Sequence, residues 1–270
     1  TLKQTFFYPG TDEFLQHWHD LHFNNETILL KGARVFKFEK IVRALEQKVH
    51  ETILEINLNA LRANLKTYRQ LLQPGVKLMA MVKAFGYGSG SHEIAGLLQH
   101  EGVEYLAVAY ADEGVALRKS GIRLPIMVMN TTVAAFDNII SFSLEPELYS
   151  FEILESFDHF LRQKNISQYP VHLKLDTGMH RLGFTEGDMN RLEERLQLSC
   201  AFVVKTVFSH LAASESADHD AFTNQQNKAF LKMSDQLQQV LGYTFTKHLA
   251  NTSAIHRHPH LQYEMVRLGI

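Results

Sequence analysis

Val76-Lys77-Leu78-Met79-Ala80-Met81-Val82-Lys83 is a short apolar run that ends on a lysine, and Ala84-Phe85-Gly86-Tyr87-Gly88-Ser89-Gly90 follows it directly. The run has the length and composition of a buried strand, and Ser91 to Glu101 continues with Ile94, Leu97 and Leu98 at helical spacing. The pattern predicts strand, glycine-rich turn and helix, with Lys83 at the C-terminal end of the strand. An amine held among apolar neighbours has its charged form disfavoured, which makes it available as a nucleophile toward an aldehyde or ketone. Glycines after it let the backbone approach an anion closely. The order differs from a nucleotide P-loop, whose lysine follows the glycines and precedes Ser or Thr. Taken alone, a lysine at a strand end also reads as a surface charge.

Working outward, the same alternation counts to eight. Candidate strands are Val76–Lys83, Tyr105–Tyr110, Pro125–Asn130, Phe142–Glu147, Val171–Asp176, Lys205–His210, Lys247–Asn251 and Met265–Ile270. Helical patterns such as Ala111–Ser120, Tyr149–Lys164, Thr185–Leu198 and Ala221–Leu241 lie between them, and Leu61, Leu65, Leu71 and Leu72 form one side of another helix. Eight strand-helix alternations predict an α/β fold of the (β/α)8 TIM type, with an open doubly wound sheet as the alternative. In such a barrel the chemistry sits on the loops after the strands. Lys83, His210, Asn251 and Arg267 all fall there.

The chain has 270 residues, 45% of them hydrophobic, and a formal charge of -2. That suits one large domain with a small appendage and offers no electrostatic case for nucleic acid or a membrane surface. No apolar stretch approaches the roughly 18 residues of a membrane span, and the first residues do not form a signal peptide, so the cytoplasm is the expected location. One cysteine, Cys200, excludes an intrachain disulfide and a cysteine-built metal site and is expected to be packed inside. His256, His258 and His260, like His17, His19 and His22, are read as solvated loop histidines with no metal. The start at Thr1 and the stop at Arg267-Leu268-Gly269-Ile270, within a strand pattern, lead us to expect a fragment of something longer.

Residues 1–48 differ from the rest. Thr27–Gly32 is predicted as a strand and turn and Phe38–Lys48 as a basic amphipathic helix, a unit too small to fold alone. The expected division is 1–48 as the tail of an upstream domain and 49–270 as the barrel.

Residues 172 to 183, His-Leu-Lys-Leu-Asp-Thr-Gly-Met-His-Arg-Leu-Gly, place Lys174 and Asp176 on strand five and Arg181 in the loop beyond. Ser209-His210-Leu211-Ala212, Ala250-Asn251-Thr252-Ser253 and Arg267-Leu268-Gly269-Ile270 end strands six, seven and eight. With Lys83 and Tyr87, this set resembles the alanine racemase family, in order, from about Thr52 to Ile270. The resemblance implies a pyridoxal-phosphate (PLP) barrel that interconverts L- and D-alanine for peptidoglycan synthesis. It implies that Lys83 carries the cofactor covalently and is one of two acid/base groups, and that Tyr87 contacts the phosphate. Arg181 matches an arginine that orients the phenolic oxygen and the substrate carboxylate, and Lys174 a lysine often carbamylated beside it. His210 matches a histidine near the pyridine ring, Asn251 and Thr252 an Asn-Ser pair at the phosphate end, and Arg267 an arginine facing the pyridine nitrogen. Gly269 and Ile270 match residues whose backbone amides hold phosphate. Asp176 is expected to orient its neighbours.

Some features depart from the family pattern. Phe85-Gly86 stands where Asp-Ala is usual, and Ser89 where His is frequent. The resemblance implies a second base, a tyrosine of a following β-domain contributed across a homodimer, which these residues do not contain. These residues by themselves are therefore expected to hold PLP weakly and to racemise alanine poorly. Ile28-Leu29-Leu30-Lys31-Gly32-Ala33-Arg34 also resembles the C-terminal end of the Mur ligase that adds D-alanyl-D-alanine to the peptidoglycan precursor, as in a ligase-racemase fusion. The alternatives are a decarboxylase-like or PLP-homeostasis barrel and a non-catalytic PLP-binding module. Arg267 argues against the decarboxylases, which place an acidic residue at the ring nitrogen.

Overall fold

A strand requires a partner for its backbone N–H and C=O groups, and Thr27–Gly32 has none among the described residues, so the strand expected there does not form. Ile28 and Leu29 are exposed, and the chain turns instead through a 3-10 segment at Arg34–Phe36. The computed structural model describes residues 5–21, 23, 27–45, 56–82 and 91–269. Two units result, Thr1–Ile53 and Leu54–Ile270. In the first, α1 (Thr11–His17) and α2 (Glu39–Leu45) are joined by a Lys40–Asp12 ion pair at 2.7 Å, and Ile41 is the buried hydrophobic residue.

The second unit runs α3 (Leu58–Gln70), β1 (Lys77–Met81), α4 (Ser91–His100), β2 (Tyr105–Val108), α5 (Ala111–Lys119), β3 (Ile126–Val128), α6 (Phe136–Ser141) and β4 (Glu145–Leu148). It continues with α7 (Phe151–Gln163), β5 (Tyr169–Lys174), α8 (Met189–Leu198), β6 (Phe202–Phe208), α9 (Asp220–Leu241), β7 (Thr246–His248), α10 (Thr252–Arg257) and β8 (Met265–Gly269). Each strand sorts its side chains by parity, as a strand buried on both faces must. In β1, Leu78 and Ala80 join the core beneath the helices, whereas Met79 joins Ala107, Met127, Phe208 and Met265 in a separate interior cluster. The helices complete the outer layer: Ser150 caps α7 by accepting from the Ile153 N–H at 3.3 Å, and Ile153, Leu154, Phe157 and Leu161 form its buried stripe.

The sheet order is β7-β6-β5-β4-β3-β2-β1-β8 with every neighbour parallel. Arg267 brings the two ends together. Its N–H donates to the Ala250 carbonyl at 2.9 Å, and its guanidinium donates to the carbonyls of His248 and Leu249 at 3.0 and 3.2 Å. The barrel predicted from the alternation is therefore the observed fold, and the open sheet is excluded. The fourth strand begins later than expected, because Phe142 ends α6 and Ser143 takes a left-handed turn (φ 49°) before Leu144. Asp176 and Asn251 lie just beyond their strands, and Cys200, expected inside, is exposed ahead of β6.

The interior carries a chain of polar groups. Arg267 Nη1 donates to His248 Nδ1 at 2.8 Å, which leaves the proton of that imidazole on Nε2, facing Thr206 Oγ1 at 2.8 Å. Thr206 Oγ1 also lies 2.8 Å from His172 Nδ1, and His172 Nε2 lies 3.0 Å from Glu145 Oε2, which accepts from Tyr105 as well. The arrangement that leaves no donor without an acceptor runs one way, from Arg267 through His248, Thr206 and His172 to Glu145. Burial, then the nearby Arg267 charge, pushes His248 well below the ordinary histidine value.

The loop after β5 closes on itself, with Phe184 N–H donating to the Lys174 carbonyl at 2.9 Å and Asp176 N–H to the Phe184 carbonyl at 2.8 Å. Gly183 makes this possible: its φ is +128°, and an added Cβ would sit 2.7 Å from Asp176 N. Replacing Gly183 with Ala is expected to cost about 1–3 kcal/mol in urea unfolding, and an unchanged midpoint and slope would contradict that geometry. Nitrogen-15 NMR of the imidazoles is expected to show His172 and His248 protonated on Nε2, with His248 still neutral below the ordinary histidine value. Because an unfolded histidine takes up a proton near 6.5 (about the model-peptide value), His248 contributes stability that is present above that pH and is lost as the pH falls below it. A folded-state His248 that titrates at or above the ordinary value would refute the assignment.

Candidate active site

Parallel strands all deliver their C-terminal ends to one mouth of the barrel, so residues far apart in sequence converge there without long-range design of the loops. A cavity of about 520 Å³ opens at that mouth and is lined by Lys174, Arg181, His210, Asn251, Thr252 and Arg267, together with Gly269 and strand-end residues such as Met81. Its size falls in the range of small-molecule pockets. Lys83, Tyr87 and Ile270, three of the residues expected at the site, lie outside the described residues. Asp176 is not among the lining residues. Its Oδ1 accepts from the N–H groups of Gly178 and His180 at 3.0 Å each, and its Oδ2 meets His180 Nδ1 at 3.2 Å. Burial acts against ionisation of Asp176, but these bonds outweigh it and hold the carboxyl below its usual range.

On one side of the cavity, Asn251 caps α10 by accepting from the Ala254 N–H at 3.0 Å, and Ser214 donates to the same oxygen at 2.8 Å. The Gly269 N–H, expected to face an anion, donates to Thr252 Oγ1 at 2.8 Å, which ties the end of β8 to the start of α10. Thr252 and Ser253 supply hydroxyls to the same wall. On the floor sits Arg267, 3% exposed. Burial pushes its guanidinium down to about 10, opposed by the charge of Glu147, so it remains a cation at neutral pH. Four of its five protons are committed, two on Nη1 to His248 and two on Nη2 to the carbonyls of Ser209 and Leu249. The Nε–H is the donor without a partner among the described residues.

Several functional-looking groups were not singled out from the sequence. Glu147 on β4 is fully buried, with Oε1 3.0 Å from Lys174 Nζ. Neither of its oxygens receives an aligned hydrogen bond among the described residues. Phe208 stacks on His248 at 4.8 Å and carries Lys174 Nζ and Arg267 Cζ at 5.5 and 5.1 Å from its ring centroid. The signal was present: Glu145 and Glu147 alternate with Leu144, Pro146 and Leu148, and His172 and Lys174 with Val171 and Leu173, so each polar pair shares the inward face. Burial raises the Glu147 carboxyl to about 7, while Lys174, Arg267 and Arg181 pull it back down. The cavity is thus rich in fixed cations and hydroxyls, a donor set suited to an anionic ligand with one ring or carbonyl acceptor for Arg267.

Residues 56–270 match the family described as "Alanine racemase, N-terminal domain". Alanine racemase 1 of Clostridium acetobutylicum is 33% identical over 219 residues, 80% of this chain and 56% of that protein. The structure of alanine racemase from Clostridium difficile 630 superposes with a TM-score of 0.74 at 33% identity, covering 82% of this chain and 58% of that one. Alanine racemase from Bartonella henselae, solved with covalently bound pyridoxal phosphate, superposes with a TM-score of 0.71 at 28% identity over 79% of this chain and 60% of that one. The chain thus spans less than two thirds of the length of these relatives. Among the described residues, no helix is long and apolar enough to cross a membrane. Strand for strand and over most of its length, this chain belongs to the alanine racemase family through the N-terminal barrel domain.

Proposed function

We propose that the protein carrying this barrel interconverts L- and D-alanine with pyridoxal 5'-phosphate. The observation that carries the proposal is the buried Arg267, whose Nε–H has no partner among the described residues and which lines a cavity together with Lys174, Arg181, His210, Asn251 and Thr252. When bound, PLP supplies an electron sink for the pair left at Cα after proton removal. Arg267 can only donate, so a pyridine nitrogen facing it stays unprotonated and the sink is kept shallow, which favours return of the proton over transamination. Thr252 and the backbone at Gly269 and Ile270, with Tyr87, would hold the phosphate, and Lys83 would bind the cofactor covalently. Arg181 and His210 would orient substrate and ring, and Asp176 would hold the loop that presents Arg181. Lys83 then moves the proton on one face of Cα, and a tyrosine from a partner protomer of a homodimer moves it on the other.

We also infer that residues 1–48 are the C-terminal part of a Mur ligase-like domain and 49–270 the racemase barrel, on the strength of the Ile28–Arg34 stretch. The barrel would make the D-alanine from which the ligase's D-alanyl-D-alanine substrate is built, for cell-wall synthesis in the cytoplasm.

The whole protein, loaded with PLP in deuterated water, is expected to exchange the α-proton of either alanine enantiomer, followed by proton NMR. Lys83→Ala is expected to lose at least about 10²- to 10⁴-fold of that rate, the usual range for an acid/base group. Borohydride reduction and peptide mapping are expected to place the cofactor on Lys83. A folded, PLP-loaded protein that leaves alanine unexchanged would overturn the reading.

A further inference from the structure

The cavity floor holds two buried cations in contact with one aromatic ring, and one buried carboxylate against one of them. Lys174 is 5% exposed at its side chain and Glu147 is 0% exposed, with 3.0 Å between Nζ and Oε1. Lys174 and Arg267 both approach Phe208, at 5.5 and 5.1 Å. Among the described residues, the charged and titratable groups around Glu147 are Lys174 from β5, Arg267 from β8, Arg181 from the loop after β5 and Tyr149 just after β4. Tyr149 spends its hydroxyl on the Thr131 carbonyl at 3.0 Å, and Glu147 is the carboxylate of this group among the described residues.

We propose that Glu147 is a positioning residue that holds Lys174 as an unmodified ammonium ion beneath the cavity. The inference rests on this cavity being the working site, but not on turnover. Two effects act together. The carboxylate compensates the ammonium charge where water cannot, so removal of the partner would leave an unpaired buried cation. It also opposes any second anion on the same nitrogen, since two like charges about 3 Å apart in a buried site cannot both persist. Lysine carbamylation would create such an anion. In that step the neutral amine attacks carbon dioxide, the N–C bond forms, one C–O π pair moves to oxygen, and one proton leaves to solvent. Glu147 therefore supplies from the chain the negative charge that a carbamate on Lys174 would otherwise bring.

The test is carbon-13 NMR of the purified protein in ¹³C-bicarbonate at pH 8, with K174R to assign any Lys174 carbamate. Wild type and E147D are expected to show none. E147Q keeps the shape of the side chain but removes its charge, and an uncompensated buried ammonium gives up its proton more readily, so this variant is expected to gain a near-stoichiometric Lys174 carbamate. E147T supplies the same comparison with a smaller side chain if E147Q does not fold. A Lys174 carbamate in the wild type would overturn the proposal, as would a folded charge-removing variant that takes up no carbon dioxide. None of these readouts needs PLP, so failure here is distinct from failure of the racemase reading.

Discussion

A guanidinium can be buried only where its protons find acceptors, because an unpaired charge in a protein interior costs several kcal/mol (an order-of-magnitude figure). Arg267 meets this requirement in a way that shapes the whole barrel. It takes carbonyls from Ser209 after β6 and from His248 and Leu249 at the end of β7, so one side chain of β8 fastens the end of β7 beside it and of β6 one strand further on. Its contact with His248 sets that imidazole neutral with the proton on Nε2, and the direction of every following bond to Thr206, His172 and Glu145 depends on that choice. The barrel closes and the floor of the cavity is electrostatically defined by the same residue.

The interior is accordingly layered by chemistry as well as by size. Met79, Ala107, Met127 and Met265 form an apolar cluster with Phe208, whose ring faces the cations Lys174 and Arg267. Methionine, unbranched and flexible, adapts its shape to the space left around that single aromatic ring. Above them, the wall from Asn251 to Gly269 is held by side-chain to backbone bonds, which fix hydroxyls and amides before any ligand arrives. Preorganised donors of that kind need no reorganisation during reaction, which is where most electrostatic catalysis originates.

The errors in reading the sequence have identifiable causes. Thr27–Gly32 has strand-like composition, yet a strand depends on a neighbour that local composition cannot supply, and among the described residues of its unit there is none. Strand four was started too early because Phe142-Ser143-Leu144 continues an apolar alternation across a left-handed turn that the residue types do not announce. Cys200 was placed inside on residue preference alone, but it sits at the surface end of a connection. Glu147 and His248 were passed over because neither carries a motif. Their importance arises from what stands opposite them.

The sequence by itself determined the number of strands, their parallel order and the end of the barrel at which chemistry collects, because the alternation of strand and helix admits few parallel arrangements and each delivers its strand ends to one face. It also put forward Lys174, Arg181, His210, Asn251, Thr252 and Arg267, which the fold brings to the lining of one cavity. The tertiary structure alone decided which of these groups touch and in what charge state. The ion pair of Lys174 with Glu147, the neutral His248 and the commitment of both Nη groups of Arg267 depend on distances of about 3 Å between separate strands and on exclusion of water. Neither is a local property of the chain.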